Sequence, residues 1–148
     1  MIERGGGVII NISSNEGVRP SVGVGVYAVS KAALMNMSQI LAKEWAPHGI
    51  RVSCIAPGLI RTEMAQPIVT ATESSGHYLS PQGRIGEPEE IAGLALYLAS
   101  PAGSYAIGET FVVDGGQLNG LAGSLFHQIL QPLFDPSQGG RVWVSPDK

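Results

Sequence analysis

Tyr27 and Lys31 are the residues whose types and spacing could do chemistry here. They stand four positions apart in a segment of helical composition, so both side chains project from one face and can meet one ligand. A phenol in water titrates near pH ~10, so only about 0.1% is phenolate at neutral pH, and its proton exchanges poorly with a carbonyl or alcohol oxygen. A neighbouring ammonium favours the anion and turns the pair into an acid/base device. The same spacing also occurs on ordinary helix surfaces, but of the four tyrosines only Tyr27 has a lysine four residues on. Thirteen residues earlier, Ser14 closes the segment Asn11-Ile12-Ser13-Ser14. A hydroxyl at the carboxyl end of a strand points into the crevice where open α/β sheets bind ligands, and it can stabilise charge developing on a carbonyl oxygen. Capping a turn is its plainer use.

The elements that must position these groups can be read from periodicity. Residues 8–13 follow the glycines 5–7 and form a nearly unbroken, β-branched apolar run, which predicts a strand buried on both faces of a parallel sheet. Residues 27–46 are rich in Ala, Leu, Met, Gln, Lys and Glu and predict a helix that stops at Pro47 and Gly49. Ala33, Leu34, Met37, Ile40, Leu41 and Trp45 repeat at three and four, and Ala32, Met35 and Ala42 widen the stripe, so two faces of this helix are expected to be covered. A second strand is expected at 50–56, ended by Pro57-Gly58, followed by a long irregular stretch at 59–86 of the kind that often serves function. A helix from Pro88 toward Ser100 and a strand at 110–113 complete the order strand, helix, strand, helix, strand. That order indicates right-handed crossovers and a parallel α/β sheet with helices on its faces. Pro57-Gly58 has a logic of its own, since proline ends a strand and glycine lets backbone approach a flat ring closely.

Ser14, Tyr27 and Lys31, with their spacing and the YAVSK segment, resemble the serine, tyrosine and lysine of the short-chain dehydrogenase/reductase family. The segment 49–62, with Pro57-Gly58-Leu59-Ile60-Arg61-Thr62, and the later segments 84–92 and 112–116 are similar to further family motifs, so the resemblance covers about residues 5–117. It implies a Rossmann-type doubly wound sheet, of which this chain holds the three-stranded carboxyl-terminal part, the amino-terminal half being missing. It further implies NAD or NADP as cofactor and interconversion of a carbonyl and a secondary alcohol, with Tyr27 as acid/base, Lys31 as ribose ligand and modulator of Tyr27, and Ser14 holding the carbonyl. Pro57, Gly58, Ile60 and Thr62 are implied at the nicotinamide end of the cofactor, 59–86 as a substrate lid, and a homodimer or homotetramer in the full-length form. The glycine-rich turn for the pyrophosphate would lie upstream of Met1, so the chain alone is expected to bind cofactor weakly and to be poorly active. The wording is nearest the set that contains 3-oxoacyl-carrier-protein reductases and sugar or steroid alcohol dehydrogenases, and substrate and NAD-versus-NADP preference stay open. A non-catalytic oligomerisation module that retains family interfaces is the competing reading.

Composition narrows the alternatives. A net charge of -3 without a basic cluster offers no footprint for nucleic acid. The lone Cys54 in an apolar run favours a reducing compartment, the cytoplasm by default, and no apolar stretch approaches the roughly 20 residues of a membrane span. His48, His77 and His127 lack ligand spacing, so no metal site is expected and they are read as surface or loop residues. Gly23-Val24-Gly25-Val26-Tyr27-Ala28 spells a dinucleotide fingerprint but does not directly follow its strand and contains the proposed catalytic tyrosine, so it is rejected. Residues 118–148 are a tail of unassigned role, with a short helix expected at 121–130.

Overall fold

A computed structural model of the 148-residue chain describes residues 1–119; the tail expected at 118–148 lies outside the described residues from position 120 on, with its short helix and His127. Three parallel strands, β1 (Gly7–Ile12), β2 (Ile50–Pro57) and β3 (Thr110–Val113), form one sheet in the order β1-β2-β3. The register pairs Ile9 with Val52 and Asn11 with Cys54, then Ile55 with Phe111 and Pro57 with Val113. Between β1 and β2 runs α1 (Gly25–Trp45), and between β2 and β3 run α2 (Gln66–Ser75) and α3 (Pro88–Ala99).

Successive side chains of a strand point to opposite faces, and β2 uses both. Ile50 and Val52 pack on Ala42, with Leu41 and Trp45 alongside, and Cys54 and Ala56 pack on Met35, so the even-numbered side chains face α1. Arg51 points the other way, donating from Nη1 to the carbonyls of Leu98 and Gly103, both at 2.7 Å, and from Nη2 to Ser100 at 3.3 Å. A guanidinium there satisfies carbonyls that the end of α3 leaves without helical partners. The helices α1 and α3 therefore cover opposite faces. Both crossovers step the same way across the sheet, so they have opposite hands, and the expectation that both are right-handed fails. The long 59–86 connection supplies the slack for the second crossover.

Three further expectations are corrected. The stretch 59–86 is not wholly irregular, because α2 lies within it, started by Pro67 in its first turn and ended by Gly76 in the left-handed region at φ 67°. Its Val, Thr and Ser residues have modest helix propensity and masked it. On α1 the buried residues are Ala28, Met35, Ser38 and Ala42, while Met37 and Ile40 are exposed. The core face is thus rotated by roughly a quarter turn from the expected stripe, and only one face is covered among the described residues. Ser38 explains the error. It is 1% exposed, donates to the Leu34 carbonyl at 2.7 Å and accepts from Asn11 Nδ2 at 2.9 Å, so a hydroxyl that a polarity pattern turns outward sits in the middle of the core face. Finally, β1 is only half-buried and Ile12 is exposed, so it is not covered on both faces among the described residues, where it stands at the sheet's edge.

The beginning of α3 is firmly built. Glu87 and Glu90 form a reciprocal capping box, and Pro88 occupies the first turn, where a missing N–H costs nothing.

Candidate active site

The proposed residues lie at or just beyond the carboxyl ends of β1 and β2 and at the start of α1. Ser14 lies two residues beyond β1, is 7% exposed, and caps a single 3-10 turn, Asn15–Gly17, by accepting from the Glu16 amide at 3.2 Å. Its hydroxyl reaches Asn15 Oδ1 only at 3.5 Å, a long and weak contact. Asn15 is itself buried, and its Nδ2 has no partner among the described residues.

Tyr27 and Lys31 occupy the first two turns of α1, as their spacing requires. Lys31 Nζ stands 5.5 Å from the centroid of the Tyr27 ring and donates to the Ile12 carbonyl at 3.0 Å. That bond ties the ammonium to the end of β1. A second tie runs the other way, from the Ser13 hydroxyl to the Lys31 carbonyl at 2.8 Å. Gly17 sets the approach of the turn to the helix, since a Cβ there would lie 2.8 Å from the Ala32 nitrogen. Strand end, turn and first helical turns are thus held in one arrangement, with Tyr27 42% exposed and open to a ligand.

Pro57 ends β2. Gly58 donates to the Val113 carbonyl at 2.9 Å and lies so close to β3 that a Cβ would come within 2.8 Å of the Asp114 Cβ. Ile60 makes an isolated parallel bridge with Gly86, in which Gly86 donates to Leu59 and Arg61 donates to Gly86. In such a bridge the N–H and C=O of Ile60 itself face away from Gly86. Neither has a partner among the described residues, which leaves a donor and an acceptor side by side, the complement of a carboxamide. Thr62 is exposed and accepts from the Ala65 amide at 3.4 Å.

Several groups here were not found from sequence. Glu16 clamps Ser21 through its amide at 2.6 Å and its hydroxyl at 2.9 Å, shaping the loop between Ser14 and Tyr27. Arg19 reaches from that loop to the Gln117 carbonyl at 3.3 Å and to the Leu118 carbonyl, joining the ends of β1 and β3. Arg61 pairs with Glu73 of α2 at 2.8 Å and with Glu87 at 3.1 Å, fastening α2 to the start of α3. Nothing in local spacing announces contacts between residues nearly a hundred positions apart. Around the ends of β2 and β3 a cleft opens under α2, with Ile60, Tyr78, Gln82 and Gln117 among its walls. Ser14, Tyr27 and Lys31 do not line it; they stand at the end of β1, on the far side of β2. His48 and His77 are exposed.

Residues 1–117 match the family model described as enoyl-(acyl carrier protein) reductase. The chain is 44% identical over 121 residues to a galactitol 2-dehydrogenase (L-tagatose-forming) of Cereibacter sphaeroides, a match covering 78% of this chain and 47% of the relative. It is 46% identical over 116 residues to a 3-oxoacyl-(acyl-carrier-protein) reductase of Chlamydia trachomatis, again covering 78% and 47%. Among solved structures, the L-sorbose reductase of Gluconobacter frateurii, crystallised with NADPH and L-sorbose, is similar with a TM-score of 0.74 at 37% identity, covering 82% of this chain and 51% of that one. The chain spans about half the length of the curated relatives it matches. With a three-stranded Rossmann-like sheet, a family match over residues 1–117 and relatives of this kind, the chain belongs to the short-chain dehydrogenase/reductase family.

Proposed function

We propose that this chain carries the proton-transfer and nicotinamide-side part of an NAD(P)-dependent oxidoreductase that interconverts a carbonyl and a secondary alcohol. The observation that carries the reading is the Lys31 ammonium, fixed to the end of β1 and held beside the Tyr27 ring, with Ser14 on the same strand end. An ammonium has three donors. One is committed to Ile12, and the others are free for ribose hydroxyls. The uncommitted N–H and C=O of Ile60 suit the nicotinamide carboxamide, Pro57-Gly58 offers a flat approach to the ring, and Thr62 lies next in line. The hydride chemistry belongs to the cofactor, and the similar sorbose reductase was crystallised with NADPH. In this reading Tyr27 gives its proton to the carbonyl oxygen in reduction and takes it back in oxidation. Lys31 holds the ribose beside the Tyr27 ring, and Ser14 turns its weakly held hydroxyl hydrogen onto the same oxygen. The relatives' names suggest small carbonyl and alcohol substrates. The uncovered apolar side of α1 supports a homodimer or homotetramer.

Replacing Tyr27 by Phe removes the transferable proton and leaves the ring. Turnover of ketone with reduced nicotinamide, followed by loss of cofactor absorbance, is expected to fall by about 10²-fold or more. A variant that turns over at the parental rate would falsify the assignment.

A further inference from the structure

Arg61 joins three segments of the chain. Its Nη2 donates to Glu73 Oε1 of α2 at 2.8 Å, its Nε donates to Glu87 Oε1 at the start of α3 at 3.1 Å, and its own amide donates to the Gly86 carbonyl at 2.9 Å. The Glu87 arm ends on a fixed point. Inside the capping box the Glu87 amide donates to Glu90 Oε2 at 2.8 Å, and Arg84 grips Glu90 through two bonds of 2.7 and 2.8 Å.

The ion pair flanks a backbone contact that needs support. Ile60 and Gly86 form an isolated bridge of two hydrogen bonds, Arg61 to Gly86 and Gly86 to Leu59 at 3.0 Å, with no ladder continuing it among the described residues. Strand pairing this short is marginal in water. Opposite charges on neighbouring strands add stability to the pairing beneath them, and Arg61 with Glu87 is the pair one step beyond Ile60 with Gly86. Gly86 leaves little room for the bridge to shift, since a Cβ there would lie 2.6 Å from Ile60 Cδ1. Ile60 and Gly86 line the cleft, whereas Arg61, Glu73 and Glu87 stand outside its lining. Whatever Arg61 does for a ligand, it does through its neighbours.

We infer that Arg61 is a positioning residue: its two-armed ion pair with Glu73 and Glu87 holds the Ile60 peptide groups in the orientation that meets a nicotinamide carboxamide. The affinity for the nicotinamide end then depends on a side chain that does not touch it. The inference rests on the reading of Ile60 given above, and it goes beyond that reading by naming what fixes the peptide.

The test is binding and amide exchange, which need no turnover. The full chain, labelled with nitrogen-15, is compared with Arg61→Gln, which removes the charge from a side chain that is 40% exposed and is expected to fold. Nicotinamide mononucleotide is expected to move the Ile60 amide signal saturably in the parent and to bind about fivefold more weakly in Arg61→Gln, with Arg61→Lys between the two because its ammonium can still meet one carboxylate. Protection of the Arg61 and Gly86 amides from exchange is expected to fall by a similar factor, while that of the Cys54 amide, which donates to the Glu109 carbonyl within the sheet, stays unchanged. Exposed ion pairs are screened by salt, so high salt should bring the parent's protection at Gly86 to that of Arg61→Gln and leave the variant where it is. Equal nucleotide affinity in parent and Arg61→Gln overturns the inference alone, as does a loss of protection at Cys54 as large as that at Gly86, which would make Arg61 a contributor to overall stability and nothing more. An Ile60 signal that ignores the nucleotide in the parent overturns the carboxamide reading and the inference with it.

Discussion

The observed cap and the proposed substrate contact of Ser14 are separated poorly by a single substitution and well by a pair. Its oxygen caps the Asn15–Gly17 turn through the Glu16 amide, and its hydrogen is the one proposed to meet the substrate oxygen. Ser14→Ala loses both, with a stability cost of about 1 kcal/mol for the cap and an expected fall in turnover of about 10²-fold for the lost donor. Ser14→Asp keeps a cap acceptor but removes the hydroxyl. Its melting temperature is therefore expected to stay near the parent's while turnover remains low. Recovery of turnover in Ser14→Asp would mean that the turn, not the hydroxyl, matters to the rate. If Ser14 and Tyr27 act on one oxygen as proposed, the double variant with Tyr27→Phe should be little worse than Tyr27→Phe alone.

Among the elements, the junction between the 59–86 connection and α3 is electrostatic and therefore sensitive to pH. The Arg84 guanidinium, with help from the Glu87 amide, holds the Glu90 carboxylate below its ordinary value of 4.5, down to about 2. A carboxylate lowered by folding contributes stability above its unfolded value, and that contribution is lost as pH falls through the folded value. The Glu87 amide donates to Glu90 Oε2 at 2.8 Å. Its protection from hydrogen exchange should accordingly persist down to about pH 4.5 and decline toward about 2. In Arg84→Gln the Glu90 midpoint, read from its carboxyl carbon shift, should return toward 4.5; an unmoved midpoint would remove Arg84 as the cause. The elements themselves were legible to different degrees for physical reasons. The strand 110–113 and the start of α3 at Pro88 stand where pattern and proline put them. Helix α2 was hidden because its Thr, Ser and Val residues carry little helical signal. The core face of α1 was misread because Asn11 and Ser38 satisfy one another inside the core, an arrangement that hydrophobic periodicity cannot express. Tyr27, Lys31 and Ser14 were visible because one helix turn and one strand end fix them. Arg19, Gln82 and Gln117 were not, because only the tertiary fold brings the ends of β1 and β3 together.

At the scale of the whole molecule, α1 presents a second apolar stripe away from the sheet. Val29 is 70% exposed, Met37 45% and Ile40 50%, with Ala33 between them at helical spacing. On a helix these four positions fall on one side, opposite Ala28, Met35, Ser38 and Ala42. A contiguous exposed apolar stripe of this kind is the surface on which self-association, as proposed above, would be tested. Completing the burial of a half-exposed Met or Ile is worth roughly 1 kcal/mol each, and a two-fold contact counts every residue twice. Met37→Glu with Ile40→Glu places two like charges on each side of such a contact. Sedimentation of the full chain at rising concentration is expected to show self-association in the parent and a monomer in the double variant. Both residues point away from the core, so the thermal midpoint of the monomeric state should change little, within about 0.5 kcal/mol. An unchanged mass distribution would mean that α1 does not form the contact.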